Sequence, residues 1–411
     1  MKIQEVILKA MSKQISWLQA AEIIGISDRS MRRWRERYQE FGYDGLFDRR
    51  LGRPSPKRVP VETVERVLGL YRDKYYDFNV RHFHEKVVEE EGIDLSYTWV
   101  KTALQNAGLV ARSRKRGKHR RRRERRPLAG MLLHVDGSKH LWLAGGQYHD
   151  LVTISDDATN EVYYARLVPE ESTETILEAL RQVVKERGVF CALYCDRASH
   201  FVYTPQAGGP ADRSRPTQVE RALRELDIEL IAAHSPQARG RCERAFKTWQ
   251  GRLPQELRLK NIQTLTEANR FLANYRGAFN RRFKAPAAQE GTAFVPTKRD
   301  LDQVFCWQYR RTVQPDNTVV VGKFRFQIER QKFRHSLAKC RILVCRHLDY
   351  GWSLWYGPHL LGRYNSQGEL VSAPEASRAS KGQGKPDRTS PIPAAGGARV
   401  ASLRSSTLRQ S

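Results

Sequence analysis

Between Arg112 and Arg126 almost every residue is arginine or lysine, and the one acid among them is Glu124. Like charge at that density repels itself and offers no apolar surface to bury, so the run cannot fold alone. It divides the 411-residue chain into parts that must each build a core of their own. The same excess runs through the whole chain. Lysine and arginine number 72 against 45 aspartates and glutamates, a formal net charge of +27. Such a balance calls for a polyanionic partner, and nucleic acid is the commonest one. A membrane surface is the rival. However, no apolar run approaches the roughly 20 residues of a spanning helix, and the N-terminus has no signal-peptide apolar segment. The expectation is a cytoplasmic, nucleoid-associated protein with no membrane partner. Cys191, Cys195, Cys242, Cys306, Cys340 and Cys345 form no Cys-x-x-Cys pair and no zinc-type ladder. They read as mostly buried apolar residues in a reducing compartment.

Ahead of the basic run, residues 16 to 40 read as a helix-turn-helix. Ser16 caps a first helix, Trp17 to Ile24; Gly25 supplies the turn; Ser27 caps a second helix, Asp28 to Gln39. On the second helix Met31, Trp34 and Tyr38 face inward, and Arg29, Arg32, Arg33, Arg35 and Arg37 surround the rest. Arginines so placed suit a helix that enters a DNA major groove, with Arg29, Arg32 and Arg33 as the expected contacts. A small solvated hairpin is the plainer alternative. This unit is expected over residues 1–55, and its linker carries Leu51-Gly52-Arg53-Pro54, suited to a minor groove or a phosphate backbone. A second helix-turn-helix-like unit is expected over 61–110, where Val64, Val67, Leu68 and Tyr71 recur at helical spacing and Ser96 introduces a helix from Tyr97 to Asn106. The basic linker, 111–127, is expected to become ordered on phosphates.

At Met131 the pattern changes. Met131-Leu-Leu-His-Val-Asp136 is an apolar strand ending in an acid. Tyr148 to Ser155 and Glu161 to Leu167 predict two more strands, and Ser172 caps a helix over Thr173 to Arg187. Phe190 to Cys195 is a fourth strand, ending at Asp196. A polar loop from Thr204 to Thr217, a helix from Gln218 to Leu226, a strand from Ile228 to Ala232 and a helix around Glu243 follow. Leu265 to Asn280 closes the region. Three strands, a helix, a strand and further helices, with acids at strand ends, is the layout of an α/β ribonuclease H-like core, expected over 128–285. Between Trp307 and Tyr356 short strands separated by Pro315-Asp316-Asn317 and Asp349-Tyr350-Gly351 predict a small β-barrel over 300–365. The tail, 366–411, is rich in Ser, Gly, Pro, Ala and Arg and is expected to be disordered. The fold class is therefore multidomain: all-α helix-turn-helix units, an α/β core, a small β-barrel and a disordered tail.

The chemistry rests on three acids. Phe190 to Cys195 is too apolar for a surface strand, so Asp196 lies at the edge of a buried sheet, where an unpaired acid is costly and a metal-bound one is not. Asp136 stands at the end of a similar run. Glu243 lies a few residues into a helix, with Arg239, Lys247 and Gln250 at helical spacings from it. Alone it reads as a surface ion pair with Arg239 or Lys247; beside the two aspartates it reads as a third ligand. Phosphodiester chemistry needs an activated oxygen nucleophile, a stabilised leaving oxygen and neutralised charge. Two Mg²⁺ ions roughly 3.5–4 Å apart, with Mn²⁺ as the substitute ion, supply all three through oxygen ligands. Arg239, Arg241, Arg244 and Lys247 are the expected phosphate contacts. Asp150, Asp156 and Asp157 compete for the acid roles, although Asp156-Asp157-Ala-Thr also suits a simple turn. His134, His140, His200 and His234 flank the acids and suit structural roles, with contact to a scissile phosphate the alternative for His200 and His234.

Three segments together carry a resemblance: Leu133-His-Val-Asp136-Gly-Ser, Tyr194-Cys-Asp196-Arg-Ala-Ser-His-Phe201, and Ser235-Pro-Gln-Ala-Arg-Gly-Arg-Cys-Glu243-Arg-Ala-Phe-Lys-Thr-Trp-Gln250. They resemble the DDE integrase-core transposases of bacterial insertion sequences, in particular the ISNCY type, from about residue 12 through 365. The Ser-Pro-Gln-Ala-x-Gly-x-x-Glu-Arg block is the most specific of the three. The resemblance implies an integrase core with Asp136, Asp196 and Glu243 as its catalytic, metal-holding acids, helix-turn-helix domains before it and a small β domain after it. Some positions depart from the pattern. Arg197-Ala198 follows the second acid where retroviral-type members commonly have Asn-Gly, and the gap to the third acid is longer than usual. Gln250 stands where many relatives place a DNA-contacting Lys or Arg, and Lys247, one turn from Glu243, is the substitute. The implied function is binding to terminal inverted repeats, Mg²⁺-dependent release of a 3′-OH, and attack of that 3′-OH on target DNA, by at least a dimer. The alternatives are a catalytically inactive DNA-binding regulator derived from a transposase, and a nuclease that cuts without joining.

Overall fold

The computed structural model describes residues 3–47, 58–112, 124–205, 209, 212, 214–233 and 240–372. Leu51–Pro54, most of the basic linker, His234, Arg239, the side chain of Arg241 and the tail beyond Ser372 lie outside them. In chain order, helices α1 (Ile3–Met11), α2 (Trp17–Ile24), α3 (Asp28–Phe41), α4 (Val61–Asp73), α5 (Val80–Glu89) and α6 (Tyr97–Asn106) precede strands β1 (Leu133–His140), β2 (His149–Asp156) and β3 (Val162–Val168). Next come α7 (Thr173–Arg187), β4 (Ala192–Cys195), α8 (Gln218–Glu225), β5 (Glu229–Ala232), α9 (Gly240–Gln250), α10 (Leu253–Leu259) and α11 (Leu265–Phe283). The short α12 (Leu301–Val304) leads to β6 (Trp307–Thr312), β7 (Thr318–Val321), β8 (Phe324–Gln327), β9 (Arg341–Arg346), β10 (Trp352–Tyr356), β11 (His359–Tyr364) and β12 (Leu370–Ser372). Among the described residues no helix is long and apolar enough to cross a membrane. The chain divides into a unit of Met1–Arg122, Leu141–Gln147 and Arg244–Thr264, and a unit of Arg123–His140, Tyr148–Glu243 and Leu265–Ser411.

The first unit is helical. Ser16 Oγ accepts from the Gln19 amide at 3.2 Å while Gln19 Oε1 accepts from the Ser16 amide at 2.9 Å, a reciprocal cap that starts α2. The turn after α2 needs a left-handed residue, and Gly25 takes it at φ +77°. Met31 is buried with Val6, Ala10, Ala20 and Ala21, so α1, a helix with no counterpart in the sequence expectations, completes this small core. Farther on, Tyr71, Tyr75, Phe78, Phe83 and Val87 fill the core of α4–α6, with Tyr71 and Phe83 edge to face at 4.9 Å. Asn79 caps α5 and Ser96 caps α6.

Helix α10 packs into this same unit through charge. Glu256 is 6 % exposed and takes His82 Nε2 at 2.7 Å and Lys86 Nζ at 2.9 Å. Arg252 grips Glu85 at 2.6 and 3.0 Å, and Arg258 grips Asp77 at 2.9 and 2.8 Å. Burial lowers the His82 pKa against the raising effect of Glu256. For Glu256, burial pushes the carboxyl up, but the His82 and Lys86 donors outweigh it and leave it lowered. Both shifts make stability depend on pH in the same direction. Folded His82 titrates below its ordinary 6.5, so the unfolded chain binds the extra proton first. Its contribution is fully present above 6.5 and lost as pH falls below it, and Glu256 adds a similar loss below its ordinary 4.5. Thermal unfolding should therefore show the helical unit melting progressively earlier from about pH 7 to about pH 5, and His82→Gln should flatten that slope.

The second unit is built on a five-stranded sheet ordered β3-β2-β1-β4-β5. Strands β1, β2 and β3 are antiparallel neighbours; β4 runs parallel to β1, and β5 parallel to β4. This is the expected ribonuclease H-like arrangement. Helix α7 covers one face, where Ile176, Leu177, Leu180 and Val183 meet Leu133, Val135, Val152, Ile154, Leu193 and Cys195. Since side chains alternate along a strand, His134 and Asp136 lie on the opposite face.

Helix α11 occupies the β3 edge in place of another strand. Asn269 accepts from the Leu167 amide and donates to the Leu167 carbonyl, both at 2.8 Å. Asn280 does the same with Val162, at 2.8 and 2.9 Å, and Arg276 donates to the Tyr163 carbonyl between them. The spacing matches because eleven helical residues and five strand residues both span about 16.5 Å. An edge satisfied in this way is not a template for pairing with a second chain. Replacing both residues (Asn269→Leu with Asn280→Leu) strips partners from two amides and two carbonyls and should cost about 1–3 kcal/mol. A lower urea midpoint, with greater aggregation near it, is the expected reading.

Two expectations are corrected in the C-terminal region. The strands do not close into a barrel: they form an open sheet, β12-β11-β10-β9-β6, with β7 and β8 as a separate two-stranded ribbon. Closure would require hydrogen bonds between the end strands, but β6 presents exposed Arg310, Arg311 and Thr312 as a charged edge. The ribbon instead packs Val319, Val321 and Phe326 with Ile342, Val344, Trp352 and Leu361 of the sheet, making two layers. The tail also begins later than 366. Asn365 Oδ1 accepts from the Gln367 and Glu369 amides, Gly368 turns at φ +87°, and Leu370–Ser372 then pair with β11.

Candidate active site

The pairing of β1 with β4 places Leu133 opposite Leu193 and His134 opposite Tyr194. Asp136 lies two residues beyond His134 within β1, and Asp196 lies two residues beyond Tyr194, directly after β4 ends. Parallel neighbours in register point to the same face, and the rings of His134 and Tyr194, 5.2 Å apart, already do so. Asp136 is buried at 7 % exposure and Asp196 is half-buried. One Asp196 oxygen accepts from the Ala198 amide at 2.9 Å, which bends the chain away from the strand end. Asp196 thus directly follows the end of β4, whereas Asp136 lies inside β1, which runs on to His140 rather than ending at the acid as the sequence suggested.

The competing acids have other tasks. Asp156 accepts from the Gly130 and Thr159 amides and from Thr159 Oγ1, at 2.8–3.0 Å. Asp157 takes the Arg126 amide and His134 Nε2, each at 2.8 Å. These two build the turn and fix the histidine. Asp150 Oδ2 accepts from the Glu171 amide at 2.8 Å. His200, four residues past Asp196, pairs with Glu171 at 2.8 Å. A Cβ on Gly137 would collide with Oε2 of that glutamate, so glycine beside Asp136 is what lets Glu171 lie against β1.

Glu243 sits in the first turn of α9 and is exposed, as are Arg244 and Lys247, whereas Phe246 and Trp249 are buried. Among the described residues no three His, Cys, Asp or Glu side chains are grouped to hold a metal ion. Asp136 lies within β1 and Asp196 directly follows the neighbouring β4, while Glu243 lies on α9. In the helical unit, Arg29, Arg32 and Arg33 are exposed on α3, on the side away from the buried Met31. Arg32 holds Asp28 one turn back at 2.6 Å, an exposed pair that DNA can displace.

Several known proteins are similar to this chain. A family described as "Helix-turn-helix domain" matches residues 4–55, and one described as "Homeodomain-like domain" matches residues 30–104. The protein y4bF of Sinorhizobium fredii, named as a transposase, is 31 % identical over 338 residues, which is 81 % of this chain and 73 % of that protein. The chain belongs to the DDE transposases. The transposase for insertion sequence IS1202 of Streptococcus pneumoniae is also similar, 29 % identical over 314 residues, covering 68 % of this chain and 67 % of its own. The HTLV-2 integrase catalytic core domain in complex with magnesium matches with a TM-score of 0.28 at 13 % identity, over 35 % of this chain and 82 % of that one. In this transposase two features had no sequence signal. Glu171 reads as the residue before a helix cap, because Gly137, which it covers, lies 34 residues earlier. The pairings of α10 with α5 join residues 167 to 174 apart and could not be read from local pattern.

Proposed function

We propose that the transposase binds the terminal inverted repeats of its own element through α2–α3 and the α4–α6 unit, frees a 3′-OH at the element's end, and joins that 3′-OH to target DNA. The observation that supports this reading is the parallel pairing of β1 with β4, which puts Asp136, within β1, and Asp196, just after β4, on neighbouring strands. In the first step a water oxygen bonds to phosphorus and the bond from phosphorus to the 3′ oxygen breaks, leaving a 3′-OH on the element and a 5′ phosphate on its flank. In the second the freed 3′-OH loses its proton and bonds to a target phosphorus, whose own 3′ oxygen departs. One phosphodiester replaces another, so no external energy source is required.

The donor set fits Mg²⁺, which is commonly held by one or two carboxylates together with waters and substrate phosphate. Asp136 and Asp196 would hold the cation, with Glu243 completing a two-ion set; when bound, the ions supply Lewis-acid neutralisation of phosphate charge. The Asp196–Ala198 turn orients one ligand, and the Glu171–His200 pair braces the loop that follows it. Arg244 and Lys247, with Arg239 and Arg241, would face the DNA backbone beside Glu243. Joining two ends implies at least a dimer on DNA.

Incubation with labelled native ends, supercoiled target and Mg²⁺ tests the reading. Joined product supports it. Cutting without joining would favour a nuclease, and binding alone would favour a regulator.

A further inference from the structure

We infer that the C-terminal β region carries a stacking site for unpaired DNA nucleotides, built from Phe333, Tyr356 and His359 and flanked by Arg330, Lys332 and Arg334. From Glu329 to His335 the chain reads Glu-Arg-Gln-Lys-Phe-Arg-His, three cations and a histidine around one phenylalanine, with a single acid. One exposed apolar side chain is ordinary on a protein surface, but a stack of rings is not. Tyr356 and His359 are directly paired across β10 and β11, so both side chains point to the same side of the sheet. Phe333 lies against both. Its ring centre is 4.4 Å from that of His359 at an interplanar angle of 23°, and 6.3 Å from that of Tyr356 at 6°. Tyr356 rests on the core of this region, which gives the stack a fixed base. At the other end Phe333 remains 45 % exposed, and His359 is exposed beside it.

The segment that presents Phe333 is held in shape. Gln331 and Arg334 form a β-bridge, which leaves Lys332 and Phe333 at the tip of a tight turn. Gln331 Nε2 donates to the Glu329 carbonyl at 2.9 Å and to the Leu361 carbonyl at 3.3 Å, tying the turn to β11. On the far side Asn317 Oδ1 accepts from the Leu337 amide at 2.8 Å and from Ser336 Oγ at 3.1 Å. Little ordering therefore remains to be done when a ligand arrives. The cations are engaged, but with neutral groups. Arg334 donates to the Ser336 carbonyl at 2.9 Å and to the Tyr356 hydroxyl at 3.2 Å, and Arg330 to His335 Nδ1 at 3.2 Å. Their charge is left for an anion, and Lys332 is exposed beside them. Phosphates satisfy the cations, and a base satisfies the ring. In a duplex both faces of an internal base are covered by its neighbours, so only an unpaired nucleotide offers a phosphate and a free face together. An acidic peptide would meet the charge and leave the rings unused.

The test uses the full chain without Mg²⁺, so it stands or falls apart from the proposed chemistry. The probe is a single-stranded oligonucleotide of about eight thymidines, within the site size of known single-strand binders, with one base replaced by the photoreactive analogue 5-iodouracil. After irradiation near physiological salt, peptide mapping should place a crosslink within the rings of Phe333, Tyr356 and His359. Unlabelled single strand should compete for that crosslink about tenfold better than a duplex of the same length, the scale of one lost stacking contact. A polyglutamate of equal charge should compete no better than the duplex. Phe333→Leu keeps an apolar side chain but no flat face, and should lower the crosslink yield about tenfold; Phe333→Trp should restore it. If Phe333→Leu does not fold, the wild-type map and competition decide. Crosslinks confined to other parts of the chain overturn the site. Equal competition by duplex reduces it to a backbone contact, equal competition by polyglutamate to a general anion patch, and either result overturns the inference.

Discussion

Asp136→Asn and Asp196→Asn are each expected to bind element ends as tightly as wild type and to lose Mg²⁺-dependent cleavage by about a thousandfold or more. The side chains are isosteric, so the sheet and the Asp196 turn should persist. What disappears is a hard anionic oxygen beside its partner acid. Lewis-acid stabilisation is worth several kcal/mol, and about 4 kcal/mol corresponds to roughly a thousandfold in rate. Asp156→Asn is the matched control. Its carboxylate accepts three hydrogen bonds that shape the β2–β3 turn, so its loss should lower the unfolding midpoint and spare chemistry at temperatures where the protein is folded. Gel assays of cleavage and of end binding, run beside thermal unfolding, separate these outcomes. An Asp136→Asn protein that cleaves at the wild-type rate would remove the aspartate pair from the mechanism.

The second large effect is expected at α3. The triple variant Arg29→Ala, Arg32→Ala, Arg33→Ala should weaken end binding at least a hundredfold near physiological salt. The slope of log affinity against log salt should also become shallower, by about 0.9 for every phosphate that is no longer neutralised. An arginine that reads a base behaves differently: its removal relaxes preference at one position and costs about 1–3 kcal/mol there. Met31 must stay, because it is fully buried in the core that holds α3 against α1 and α2. Titrations at several salt concentrations, with element ends and with unrelated DNA, assign each arginine to one class. An unchanged slope and affinity would place the DNA elsewhere on the protein.

Local chemistry was readable in the sequence wherever it is decided within one helix or one strand. Ser16, Ser27, Ser96 and Ser172 cap the expected helices, and α7 runs from Thr173 to Arg187 as its cap and buried stripe require. Asp136 and Asp196 were visible because an acid that directly follows an apolar run has few inexpensive explanations, although β1 continues past Asp136 to His140. Their register across sixty residues was not visible, since pairing depends on which strands meet. Barrel closure is a question of the same kind: short strands and turns look alike whether β6 meets β12 or remains an edge. The Asn269 and Asn280 amides read as ordinary helix polar residues until β3 is placed beside them. The ion pairs of α10 combine the two problems, being both distant in sequence and buried.

Strand transfer from a pre-cleaved end isolates the proposed chemistry. An element end that already carries its 3′-OH is mixed with plasmid target, Mg²⁺ and either wild-type protein or Glu243→Gln, and joined product is counted at saturating DNA. Wild type should join the end and stop doing so on chelation, and Glu243→Gln should give nothing above background despite undiminished end binding. Joining by Glu243→Gln at the wild-type rate would show that the third acid has no part in the chemistry.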